Sequence, residues 1–198
     1  NIFLLYNLKC REGDYMKLNN KGFTLIEVLA IIVIITVLGA VAIPNILSAL
    51  NSGKQKSYDI MIENIKTGAI NLYEELYSNQ LLGDTSNKIY KYENYAKTSN
   101  AITINSNEIK NITLQTLVSN GYLSGTSDNN GLTSSIKLLI NPKNNEEIGC
   151  CKITIKRTSN INNYKVQYTI TSENSMCYDH NGKKQVTCPT TADYTKGV

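Results

Sequence analysis

The chain has 198 residues, 41% of them apolar and 18% charged, with a net charge of +4, three Pro and no Trp. That length fits one domain with an appended segment, and so apolar a composition excludes wholesale disorder and a collagen-like repeat. Only one stretch is long and apolar enough to span a bilayer, which excludes a polytopic membrane protein. Once residues 1–22 are set aside, 16 Lys and Arg face 14 Asp and Glu, which is no footprint for nucleic acid.

The chain opens on Asn1, and its first Met is Met16, followed by KLNNKG. Arg11-Glu12-Gly13 can be encoded by a purine run resembling a ribosome-binding site, close upstream of Met16. The expectation is therefore that residues 1–15 are mistranslated upstream sequence and that residues 16–22 form a short basic leader carrying Lys17 and Lys21. If residues 1–15 are translated, Cys10 lies on the cytoplasmic side, where thiols stay reduced.

Residues 23–50 read FTLIEVLAIIVIITVLGAVAIPNILSAL. Glu27 is the single charge from Phe23 to Ile43, and Thr36 is the only hydroxyl from Val28 to Ile43. A helix of about 20 such residues matches a hydrocarbon core about 30 Å thick. The remainder of the chain is too polar to wrap it on all sides, so it belongs in lipid or in an equally apolar assembly. A cleaved secretory signal is excluded, because the run is too long and Glu27 stands where a signal core is uncharged.

Lys21-Gly22-Phe23-Thr24-Leu25-Ile26-Glu27 resembles the processing site of type IV prepilins, and VLAIIVIITVLGAVAIP resembles their N-terminal helix, with Pro44 at its far end. The close resemblance covers about Met16 to Leu50. It implies cleavage between Gly22 and Phe23 by a prepilin peptidase, N-methylation of Phe23, and pairing of Glu27 with the N-terminal amine of a neighbouring subunit. The physics agrees. A small residue at Gly22 leaves room for the peptidase, and a positive leader stays cytoplasmic. A carboxylate inside an apolar span costs about 2.5–3.5 kcal/mol on insertion scales, which a partner cation offsets. The plainer role for Glu27 is a first-turn carboxylate that favours the helix dipole by under about 1 kcal/mol. Gly39 and Pro44 mark the weakest part of the helix, since Pro removes a hydrogen bond and Gly lowers helix propensity by about 1 kcal/mol. By resemblance, this part unwinds in a stretched filament.

Beyond the apolar run, Tyr58, Met61, Ile62, Ile65, Ala69, Leu72, Tyr73 and Leu76 recur at helical spacing, while Lys66 and other charges fall elsewhere. One helix is expected from about Thr24 to Tyr77, bent near Pro44 and loosened at Ser52-Gly53. Residues 78–108 read as a polar connection with a turn at Gly83–Asn87. Ile109–Val118 reads as a short helix stopped by Gly121. Strands are expected at Ile136–Ile140, Ile148–Arg157 and Tyr164–Thr171, with a turn at Asn160–Asn163, and Asn181-Gly182 marks a hairpin within Met176–Thr187. The fold class is α+β: a long N-terminal helix, apolar in its first half and amphipathic in its second, packed on a C-terminal antiparallel sheet of three to five strands. The domain reading is 1–15 upstream sequence, 16–22 leader, 23–50 membrane and assembly helix, and 51–198 head.

Cys150, Cys151, Cys177 and Cys188 lie in the part expected outside the membrane, where an even number suggests disulfides with three possible connectivities. Adjacent residues on a strand point to opposite faces, so Cys150 and Cys151 should each pair elsewhere. Cys177 and Cys188 flank the hairpin, but an Asn-Gly turn sets Val186 opposite Cys177. Zinc is the rival reading, weakened by the lack of a CxxC pair, and no metal or cofactor is expected. The single His, His180, falls in a turn and reads as exposed; Glu146-Glu147 reads as a loop. No catalytic constellation emerges, so an enzyme is not expected.

The sequence thus points to a filament subunit, inserted as a single-pass prepilin and then carried to an extracellular surface filament. Its expected partners are the peptidase, other pilin subunits, an inner-membrane assembly platform and the membrane. The filament would serve adhesion, twitching motility, DNA uptake or secretion. The alternatives are a minor pilin or pseudopilin of a type II secretion or competence apparatus, and a monomeric membrane-anchored binding module.

Overall fold

A computed structural model describes residues 22–84, 89–127, 136–160, 165–173 and 177–195. The expected upstream sequence and leader, apart from Gly22, lie outside the described residues, as do Tyr164, Met176 and turn residues 161–163. The chain divides into two units, residues 1–47 and 48–198.

The first unit holds the start of α1 (Leu25–Leu81). Every residue from Gly22 to Leu47 is exposed except Gly39, which is partly covered by its own helix. Thr36 Oγ1 donates to the Val33 carbonyl at 2.8 Å, so the one hydroxyl of the span is satisfied within its own turn. Pro44 stands inside the helix, where it cannot donate to Ala40 O. Next to it, Asn45 Nδ2 donates to Val41 O at 3.2 Å.

In the second unit α1 continues unbroken through Ser52 and Gly53, against the expected loosening there. It ends at Leu81, four residues past the expected end. Gly83, at φ 67°, closes it with Asp84 N–H on Asn79 O (3.0 Å) and Gly83 N–H on Gln80 O (3.3 Å). All eight apolar positions read from the sequence are buried, together with Lys66 and Gly68. Lys66 departs from the expectation: its stem lies along the core while Nζ reaches Glu63 Oε1 at 2.9 Å. Gly68 is required by a close approach, since a Cβ there would lie 2.6 Å from the Tyr122 carbonyl oxygen.

A central antiparallel sheet runs in the order β3–β6–β7, with β3 at Glu108–Thr113, β6 at Lys152–Asn160 and β7 at Lys165–Ser172. Ile109, Ile112, Ile153, Ile155 and Ile170 from this sheet share one core cluster with the buried face of α1. Among the described residues three two-stranded ribbons lie around it: β1 (Tyr90–Glu93) with β2 (Ala96–Ala101), β4 (Thr126–Ser127) with β5 (Lys137–Leu138), and β8 (Cys177–Tyr178) with β9 (Gln185–Val186). The helix α2 (Leu114–Ser119) follows β3 directly, and α3 (Thr191–Thr195) closes the described chain.

Three sequence expectations are corrected. Ile109–Val118 is not one helix: its first half is β3. Ile109 pairs with Ile155 and Ile112 with Ile153, so two residues on β3, Lys110 and Asn111, stand against one on β6, Thr154. A bulge at Lys110-Asn111, with Asn111 at φ 56°, turns both isoleucines inward. The i, i+3 spacing that looks helical is the mark of that bulge. Thr113 then caps α2 by accepting from Thr116 N–H, and Gly121, at φ 85°, stops it as expected. Second, residues 78–108 are no plain connection, because β1 and β2 form a hairpin turned by Asn94 (φ 48°) and Tyr95 (φ 60°). Third, residues 148–151 form a turn rather than the start of a strand, so Cys150 and Cys151 are separated by that turn's geometry and not by a pleat.

Candidate functional site

The beginning of α1 is built by two residues. Thr24 N–H and Oγ1 donate to Glu27 Oε2 at 2.8 and 2.9 Å, and Glu27 N–H donates to Thr24 Oγ1 at 3.3 Å. This reciprocal box satisfies helix donors that have no intrahelical partner. Glu27 therefore holds its own first turn, the plainer of the two roles that its position allows. Thr24 was missed as a functional residue, although Thr-x-x-Glu before an apolar run spells the box in sequence.

The Gly22-Phe23 pair, the expected cleavage point, sits just ahead. Gly22 and Phe23 are exposed and precede the helix, and nothing crowds the missing Cβ of Gly22. Phe23 is 77% and Leu25 86% exposed. In water such a surface is strongly unfavourable, at about 25 cal/mol per Å² of apolar area. It calls for lipid or for other copies of such a helix. By length and composition α1 is able to cross a membrane once.

Residues 17–43 match the family model described as the prokaryotic N-terminal methylation motif. The chain thus carries the signature of type IV pilin- and prepilin-like proteins, which are structural subunits. Its long N-terminal helix followed by antiparallel strands is the pilin-like layout. No curated protein and no solved structure matches the chain.

The remaining candidate residues gather in the second unit. Cys150 is bonded to Cys177 and Cys151 to Cys188, with Cα–Cα distances of 5.7 and 5.6 Å. Cys177 does stand opposite Val186, in the register that an Asn-Gly turn implies. The turn itself differs: Gly182 N–H donates to Asp179 O, so His180 and Asn181 are its centre and Gly182, at φ 67°, follows them.

His180 is not the exposed turn residue expected. Its side chain is 12% exposed, with Nδ1 2.6–2.7 Å from both Glu147 carboxylate oxygens and its backbone N–H donating to Glu147 Oε2 at 3.0 Å. Glu147 forms a bridge with Ile140. Beside it, Glu146 accepts from Thr187 N–H (3.0 Å) and meets Lys184 Nζ (3.1 Å). The backbone amide of Thr187 and then Lys184 hold the Glu146 carboxyl below the usual range, and the Lys183 amide does the same for Asp179. The adjacent glutamates thus fasten the β8–β9 ribbon to the loop after β5. Nothing in residue spacing announced this contact, which joins positions 33 and 41 residues apart.

Proposed function

We propose that this chain is a structural subunit of a type IV pilus-like filament. It is inserted as a prepilin, cleaved between Gly22 and Phe23, N-methylated on Phe23 and polymerised through α1. The observation that carries the reading is the methylation motif leading without interruption into the exposed apolar part of α1, where Glu27 is the one charge up to Leu50.

Cleavage before Phe23 creates one cation at the head of a helix that already holds one anion. In lipid neither is comfortable alone, and the amine of one copy beside Glu27 of the next neutralises both. To do so, the incoming amine takes Glu27 Oε2 from Thr24, so assembly exchanges a bond within one chain for a bond between chains. The head would then lie on the outer side, consistent with its two disulfides.

N-terminal sequencing of the native product tests processing, with methyl-phenylalanine as the expected first residue. Glu27→Ala tests assembly: the processed protein should stay in the membrane and disappear from sheared filaments. Normal filaments from Glu27→Ala would refute the pairing. Recovery of the processed wild-type chain solely as a membrane monomer would favour an anchored binding module instead. Loss of secretion or DNA uptake, without loss of surface filaments, in cells lacking the chain would identify a pseudopilin or minor pilin.

A further inference from the structure

The two cystines of the second unit lie side by side. The sulfurs of Cys151, Cys177 and Cys188 are all within 4.8 Å of one another, although Cys177 is bonded to Cys150 and the other two to each other. The bridges differ in access. Cys151 is fully buried and Cys177 nearly so, while Cys150 and Cys188 are half-buried. Cys150 and Cys177 line an open cleft of about 410 Å³ together with Lys152, Asp179 and His180, and Cys151 and Cys188 do not. A small thiol entering the cleft meets the Cys150–Cys177 bond first, with Lys152 and Asp179 setting opposite charges around it.

We infer that the four cysteines form an internal thiol–disulfide relay in which Cys177 carries exchange from the accessible bridge to the buried one. An external thiolate attacks Cys150 Sγ. The Cys150–Cys177 bond breaks, the external sulfur stays on Cys150 as a mixed disulfide, and Cys177 leaves as a thiolate. That thiolate is already within 4.8 Å of both sulfurs of the second bridge. Its attack on Cys188 Sγ, the less buried of the two, forms Cys177–Cys188 and expels Cys151 as the new thiolate. One disulfide replaces another, so the step needs no oxidant or reductant. The buried bridge thus opens without any external reductant touching it. This inference does not depend on filament assembly.

The full chain in a C10S background, in detergent micelles, tests it. In the C150S variant Cys177 is a permanent thiol. After folding at mildly alkaline pH, acid quench, alkylation and peptide mapping, a Cys177–Cys188 bridge is expected beside Cys151–Cys188, with alkylation divided between Cys177 and Cys151. Alkylation confined to Cys177 would overturn the relay. The second reading keeps all four cysteines and so does not rely on how C150S folds. A brief pulse of glutathione below one equivalent should give glutathionyl-Cys150 together with Cys177–Cys188. Glutathionyl-Cys150 with Cys151–Cys188 intact and Cys177 free throughout would overturn it. In C150S/C177S the remaining bridge should lose its opening under the same pulse; opening unchanged from the parent chain would count equally against the relay.

Discussion

Thr24 and Glu27 make three hydrogen bonds inside one chain, so any partner for Glu27 has a local competitor. Thr24→Val removes the hydroxyl and leaves the carboxylate with a single backbone donor. The first turn should weaken by about 1 kcal/mol, read as faster amide exchange at residues 25–28 in micelles. Glu146 and Asp179 are held in one common way. Each has its carboxyl held below the ordinary value, chiefly by a backbone N–H, so its contribution is complete above the ordinary carboxylate range of about 4. That contribution fades as pH falls through the lower, folded value. Amide exchange at Thr187 should therefore quicken in acid relative to the unfolded chain, and Glu146→Gln should remove that acid dependence. The capping box was legible, since Thr-x-x-Glu precedes the apolar run. The carboxylate contacts to Thr187 and His180 were not, because they follow from loops brought together by the fold.

At the scale of elements, the amphipathic half of α1 was legible to the residue, because one buried face imposes a fixed spacing on any helix. Two features escaped that rule. Lys66 hides a long apolar stem under a charged tip, and Gly68 is buried because of what Tyr122 places against it, which no helical period encodes. Gly68→Ala gains about 1 kcal/mol of helix propensity, yet its methyl meets a backbone oxygen that has little room to yield. A net loss of about 1–2 kcal/mol is expected in the denaturant midpoint of the full chain. Strand β3 was misread for a definite reason: a bulge converts the strand period of two into an apparent period of three. Asn tolerates the left-handed conformation at position 111, and a β-branched residue does not. Asn111→Val should cost about 1–3 kcal/mol, with Asn111→Gly close to neutral, by the same measurement.

At the scale of the molecule, residues 22–47 offer lipid or other subunits a surface of apolar side chains, while the described residues after them bury a core of helix and sheet. The α+β layout followed from composition and period alone, whereas the division of strands into a central sheet and three ribbons depended on turns such as Asn94-Tyr95, whose residues are not the usual glycine pairs. Reduction of the two bridges should lower stability by about 2–4 kcal/mol each, seen as a fall in the melting temperature of the reduced chain.

The consecutive position of Cys150 and Cys151 has a mechanical outcome. Load entering at Cys150 passes one peptide unit to Cys151 and crosses directly to Cys188, so the chain between those two cysteines, a sequence separation of 37, carries no tension. A stretched residue spans at most about 3.3–3.6 Å, so pulling the oxidised chain end to end should yield a contour roughly 120 Å shorter than that of its reduced form. Within one chain the head therefore meets a covalent limit of extension, which reduction of Cys151–Cys188 removes.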